Sequence, residues 1–130
     1  MSEPLSLYRR IGGHDGLAKL LRHFYADVRQ HKIIGPIFNE RIHDWNSHLA
    51  TIGNFWALQT GGPSTYRGGM GKHISLPIEP EHFNHWLALW EFNCRRHLPA
   101  AEAEEMISLA HQIAGNLRRM VFGMGGLKIN

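Results

Sequence analysis

The chain has 130 residues, a formal net charge of +3 with histidines neutral, ten histidines, four tryptophans and one cysteine. That length predicts a single domain over residues 1–130 with a real core, and an apolar share of 43% argues against disorder. Charge, Gly or His breaks every apolar run before it reaches membrane-span length, Met1-Ser2-Glu3-Pro4-Leu5 lacks the pattern of a signal peptide, and the lone Cys94 excludes an internal disulfide, so a cytoplasmic protein without membrane contact is expected. The basic residues fall in scattered pairs, Arg9-Arg10, Arg95-Arg96 and Arg118-Arg119, which is a solvated surface and not a nucleic-acid footprint.

Residues 5–11 predict a short helix stopped by Gly12-Gly13. The next helix runs from about His14 to Gln30, with Leu17, Leu20, Leu21, Phe24 and Val28 at the 3-4 spacing of one buried face. Tyr25 lies on the edge of that face, where spacing favours a boundary phenol reaching solvent over a buried one with a partner. Residues 33–38 read as an apolar corner in which Pro36 opens a short turn, followed by a polar loop from Asn39 to His43.

Asp44 is a good N-cap for a helix from Trp45 to about Gln59, whose apolar face is Trp45, Leu49, Ile52, Phe55 and Trp56. His48 shares that face, either buried and satisfied or turned to a cavity. Gly61-Gly62-Pro63 ends the helix. Pro80, flanked by Glu79 and Glu81, opens another helix with the face Phe83, Trp86, Leu87, Trp90 and Cys94. The last helix follows Pro99, with Met106, Leu109, Ile113, Leu117, Met120 and Met124 as its expected buried face and Gly123, Gly125 and Gly126 at its end. The fold class is therefore all-α.

One stretch interrupts this pattern. Tyr66-Arg67-Gly68-Gly69-Met70-Gly71-Lys72-His73-Ile74-Ser75-Leu76-Pro77 is too rich in glycine to be helical by itself, and long loops inside compact helical domains are usually functional. Pro77 holds Leu76 toward extended geometry, so His73 sits on a pinned segment among apolar residues. Such an imidazole is a satisfied core histidine or a metal ligand. With Tyr25, His48 and the Trp86 indole it forms a set of inward polar groups able to ring one apolar cavity. Haem is one of several occupants that would suit such a cavity.

Six short motifs now fall in order: Phe24-Tyr25; Gly35-Pro36-Ile37-Phe38-Asn39; Trp45-x-x-His48; Ile52-Gly53-Asn54-Phe55-Trp56; Lys72-His73-x-x-Leu76-Pro77; and His82-Phe83-x-x-Trp86-Leu87. Together they resemble the truncated haemoglobins, most nearly group III, across Leu17 to Gly126. Gly12-Gly13 and Gly61-Gly62-Pro63 are closer to the double-glycine features of the other groups. The resemblance implies a two-over-two helical sandwich and a haem iron held by His73. It implies Tyr25, His48 and Trp86 on the ligand side, Phe38 against the haem edge, Ile52 facing the ligand and Leu76 beside the iron-ligand segment. Arg67 and Lys72 flank that segment, to pair with haem carboxylates or to be solvated.

A single cysteine cannot supply a Cys-x-x-Cys-His attachment, so non-covalent haem b is expected. The implied function is reversible binding of O2 and other small ligands (NO, CO, cyanide) for scavenging, detoxification or sensing. Phenol and indole donors would slow O2 release, which argues against bulk oxygen transport. The alternative is a haem enzyme, an NO dioxygenase or peroxidase served by an unidentified reductase. A helical bundle with structural histidines is the third reading.

Overall fold

The computed structural model describes residues 5–68 and 78–123. Six α-helices follow one another, α1 (Leu7–Arg10), α2 (Gly13–Gln30), α3 (Gly35–Arg41), α4 (Trp45–Thr60), α5 (Pro80–His97) and α6 (Ala100–Arg118), with a π-helical turn at Arg119–Gly123. No strand occurs among the described residues. Helix α2 packs on α4 and α5, and α5 packs on α6, giving the expected two-over-two helical sandwich. No described helix is long and apolar enough to cross a membrane.

The expected stripe of α2 is the buried one: Leu17, Leu20, Leu21, Phe24 and Val28 are at most 1% exposed. Helix α4 starts as its sequence demands, with the Asp44 side chain accepting from the Ser47 N–H at 3.1 Å. It ends on Gly61, whose φ of 92° is a left-handed conformation that favours glycine, and the Gly62 N–H closes back on the Ala57 carbonyl at 2.8 Å. Gly62 is needed for a different reason. A Cβ there would run into the Tyr8 ring, which packs beneath the turn. Helix α1 is tied to α6 by Arg10, which donates to Glu102 at 2.9 Å and to Glu105 at 2.6 and 3.0 Å.

Three expectations need correction. The polar loop from Asn39 is helical as far as Arg41. The Asn39 side chain explains this: its amide donates to the Arg29 carbonyl at 3.0 Å and its oxygen accepts from Arg29 Nε at 3.4 Å, so it satisfies the end of α2 while staying in α3. The buried face of α6 is also turned from the one expected. Ala103, Met106, Ile107, Ala110, Ile113 and Ala114 are buried, whereas Met120 is 37% exposed. The small residues let α5 approach closely, and Trp90 of α5 donates its indole N–H to the Met106 carbonyl at 3.1 Å. Helix α6 also gives way to the π turn after Arg118, five residues before the expected glycine stop begins at Gly123; Met124, Gly125 and Gly126 lie outside the described residues.

Candidate functional site

Tyr25 is the first member of the site, and here spacing misleads: it is buried, only 5% exposed. Four rings enclose it. Phe24 lies at 4.7 Å, Trp45 at 5.8 Å, Phe38 at 6.0 Å and His48 at 6.2 Å between ring centroids. Burial pushes the phenol well above its ordinary ionisation range, and a hydrogen bond from Trp86 partly offsets that rise. An indole only donates, so the phenol oxygen is the acceptor and retains its own O–H to give.

Trp86 is held from behind. Its ring is parallel to Trp90 at 6.0 Å, Trp90 stacks on Trp56 at 4.6 Å, and Phe24 meets both Trp86 and Trp90 edge-on. Trp86 and Trp90 of the expected α5 face therefore form an aromatic wall. It fixes the Trp86 indole by packing on its faces and leaves its N–H free to reach Tyr25.

In front of this pair lies a cavity of about 420 Å³. Its walls are mainly apolar, with Phe38, Ile52, Phe55, Phe83, Ile113 and Leu117 among them, and Tyr25, His48 and Trp86 turn toward it as well. So Phe38, His48, Ile52 and Trp86 come together with Tyr25 as the sequence expects. Arg67 is exposed, and the cavity wall there is formed by Tyr66 and Gly68. Lys72, His73 and Leu76 lie outside the described residues. The residues bounding that segment, Gly68 and Ile78, both line the cavity.

Several lining residues received no role from the sequence. Arg41 ends α3 at the cavity mouth, where the expected loop hid its placement. Phe55, His82 and Phe83 belong to recognisable motifs but were read only as apolar face or flank. His82 closes a capping box at the start of α5, its Nδ1 accepting the Glu79 N–H at 2.9 Å. A neutral His82 therefore carries its proton on Nε2. Tyr66 lies in the glycine-rich stretch, where no periodicity reports direction.

The chemistry of this cavity suits haem. Its volume falls within the roughly 300–1,000 Å³ of small-molecule sites, its lining is that of a slot for a flat apolar ring, and the Tyr25 phenol and Trp86 indole stand together on one side of it. An all-helical sandwich around such a slot defines a protein of the globin class. The comparisons agree. The family model for bacterial-like globins matches residues 6–118. The group 3 truncated haemoglobin ctb of Campylobacter jejuni is 36% identical over 118 residues, 86% of this chain and 93% of that protein. The crystal structure of the group III truncated haemoglobin from Campylobacter jejuni superposes with a TM-score of 0.79, covering 84% of this chain and 91% of the other. The 2/2 haemoglobin of Synechococcus sp. PCC 7002, solved in the cyanomet state with covalently attached haem, shares the fold at 16% identity, with a TM-score of 0.77 over 92% and 99% of the two chains.

The chain belongs to the bacterial-like globins and is a truncated haemoglobin, similar to group III. Membership brings a haem iron and the binding of diatomic gases such as O2.

Proposed function

We propose that this chain, acting as one globin domain, holds haem b non-covalently through His73 and binds O2, NO, CO and cyanide for scavenging, detoxification or sensing. The observation that carries this reading is the buried Tyr25–Trp86 pair on the cavity wall. Haem held in this way supplies an iron with an open position where small ligands bind reversibly. The chain's own residues then decide how long a ligand stays. Tyr25 O–H donates to the outer atom of a ligand that gains negative charge, and the single Trp86 N–H, which faces the phenol oxygen in the ligand-free protein, is then shared with that atom; each such bond in a dry pocket contributes up to about 1.5–3 kcal/mol. Phe38, Ile52 and Phe55 exclude water, which keeps those donors from being satisfied by solvent. His48 closes the side of the cavity nearest α3 and admits ligands by swinging aside. Arg41 and Tyr66 at the mouth suit the carboxylates of the haem edge, with Lys72 and Arg67 on the neighbouring stretch.

Absorption spectra of the ferric, ferrous and CO-bound forms of wild type and His73→Ala test this reading. Wild type should give a histidine-ligated haem spectrum and the variant should lose haem or that signature. A variant with unchanged haem retention and ferrous–CO spectrum refutes His73 as the ligand.

A second reading, a cytoplasmic haem enzyme with NO dioxygenase or peroxidase activity and a reductase partner, draws support from the parallel indoles of Trp86, Trp90 and Trp56 directly behind the donor pair. Oxidisable rings at such spacing suit the passage of redox equivalents. Sustained turnover with peroxide or NO and a defined reductant selects this reading; stoichiometric binding without turnover rejects it.

A further inference from the structure

Trp45 stands outside the cavity lining, yet contacts converge on it. It lies in the first turn of α4, edge-on to His48 at 5.5 Å and 5.8 Å from Tyr25. The Arg29 guanidinium of α2 covers its ring, 4.6 Å from the centroid. Arg29 is in turn pinned to α3, its Nε donating to Asn39 Oδ1 at 3.4 Å while the Asn39 amide donates to the Arg29 carbonyl at 3.0 Å. The Asp44 cap fixes the turn on which Trp45 sits. Three helices are therefore joined around one indole, directly behind the histidine at the cavity's side.

We propose that Arg29, Trp45 and Asn39 form a latch that sets how fast His48 swings aside to let a small ligand in or out. The inference rests on the haem reading above and deepens it. The His48 ring meets Trp45 edge-on, so an outward swing of the imidazole requires the indole to recede. The indole cannot recede while the guanidinium covers it, and the guanidinium is held by Asn39. Arg29 and Asn39 touch no ligand; they are positioning residues that act through Trp45.

A latch of this kind has a kinetic signature. It raises the barrier between the cavity and solvent while leaving both end states alone, so it slows association and release by the same factor and does not change affinity. A lost hydrogen-bond donor behaves differently, because it speeds release and weakens affinity.

The experiment uses haem-loaded wild type, Arg29→Met and Asn39→Ala. Met keeps the length and apolar stem of Arg29, and Asn39→Ala frees the guanidinium without removing it. CO association is measured by flash photolysis, and O2 and CO release by ligand replacement. The Trp45 resonance is followed by fluorine NMR in 5-fluorotryptophan-labelled protein, assigned with Trp45→Phe. In Arg29→Met both rates should rise together by about two- to fivefold, the weight of one exposed cation–π contact, with Kd unchanged and the Trp45 resonance moved. Asn39→Ala should move both rates in the same direction by less. Rates equal to wild type in both variants overturn the latch alone, and so does faster release without faster association, which would assign the effect to the Tyr25 and Trp86 donors. A wild type that takes up no haem refutes the functional reading first, and the latch's role with it.

Discussion

The two sides of the cavity are built on opposite principles. The side formed by Tyr25 and Trp86 is closed: the phenol is 5% exposed, and Trp90 and Trp56, at 0% and 2%, stack behind the indole. The side formed by Arg41, His48 and Thr51 borders solvent; Arg41 and Thr51 are exposed and His48 is half-buried. The closed side has packed rings around a phenol that faces an indole N–H. The open side has edge contacts between rings and a cation over one of them, which break and reform at little cost. Under the proposed function, retention of a ligand falls to the closed side and access for it to the open side, and the variants below are chosen to change one without the other.

The sharpest way to break this division is to remove the support of the closed side. Trp90 is fully buried between Trp86, Trp56 and Phe24 and donates to the Met106 carbonyl. Trp90→Ala should therefore destabilise the fold by about 3–5 kcal/mol, measured by denaturant unfolding. Loss of less than about 1 kcal/mol would mean that the cavity collapses without strain and that the stack is not what fixes Trp86.

Tyr25→Phe and Trp86→Phe test the closed side by removing its donors, the first with its shape kept and the second with a smaller ring. Each should speed O2 release about 10- to 150-fold, the rate equivalent of one donor to a partly charged ligand. The double variant should fall short of the product of the two, because the groups share one ligand and bond to each other. CO, with less charge on its outer atom, should respond far less. Equal acceleration of O2 and CO would make both residues steric and remove the hydrogen-bond account.

The open side is tested by His48→Leu. A barrier lowered for access is lowered for exit, so association and release should rise together by up to about tenfold, the low end of the spread among variants of one site. Release rising alone would make His48 a third donor and erase the division.

How far this division is legible in the sequence depends on what kind of signal each residue leaves. The α2 stripe, the Asp44 cap and the wall of Phe83, Trp86 and Trp90 are legible because local periodicity and capping chemistry specify them. Tyr25 is not legible as buried, since its position at the edge of the stripe becomes interior only when α4 and Phe38 of α3 close over it. The α6 face misleads because large apolar residues dominate its pattern and alanines do not, although close approach of α5 selects for Ala103, Ala110 and Ala114. Arg41, Tyr66 and His82 sit at helix ends or in the glycine-rich stretch, where no repeat reports direction. The Arg29–Asn39–Trp45 contact links three helices, and nothing local encodes it. Ordered motifs carry what periodicity cannot: they group Tyr25, His48 and Trp86, which stand on three different helices.

The smallest expected effect is the absence of one, and it sharpens the comparison most cheaply. An exposed tyrosine ionises near its ordinary value of 10.0, but burial holds Tyr25 neutral well above it, against a smaller opposing pull from Trp86. The donor O–H should therefore persist, and O2 release should stay flat from pH 7 to about pH 10. Stability has the opposite form. The folded-state value lies above the unfolded one, so Tyr25 takes nothing from stability below about pH 10, and stability falls as pH rises beyond it, where the unfolded chain ionises and the folded chain does not. Cys94, whose thiol burial pushes up to about 12, adds to the same fall from its ordinary value of 9.0 upward, so the comparison needs Tyr25→Phe beside wild type. The variant should lose Tyr25's share of the alkaline slope that begins near pH 10, keep the share of Tyr66, whose phenol burial also raises, and keep the part that begins near pH 9. O2 release that quickens between pH 8 and 10 in wild type but not in Tyr25→Phe would show the phenol ionising in the folded protein, and the side taken here as closed would have to be open to water.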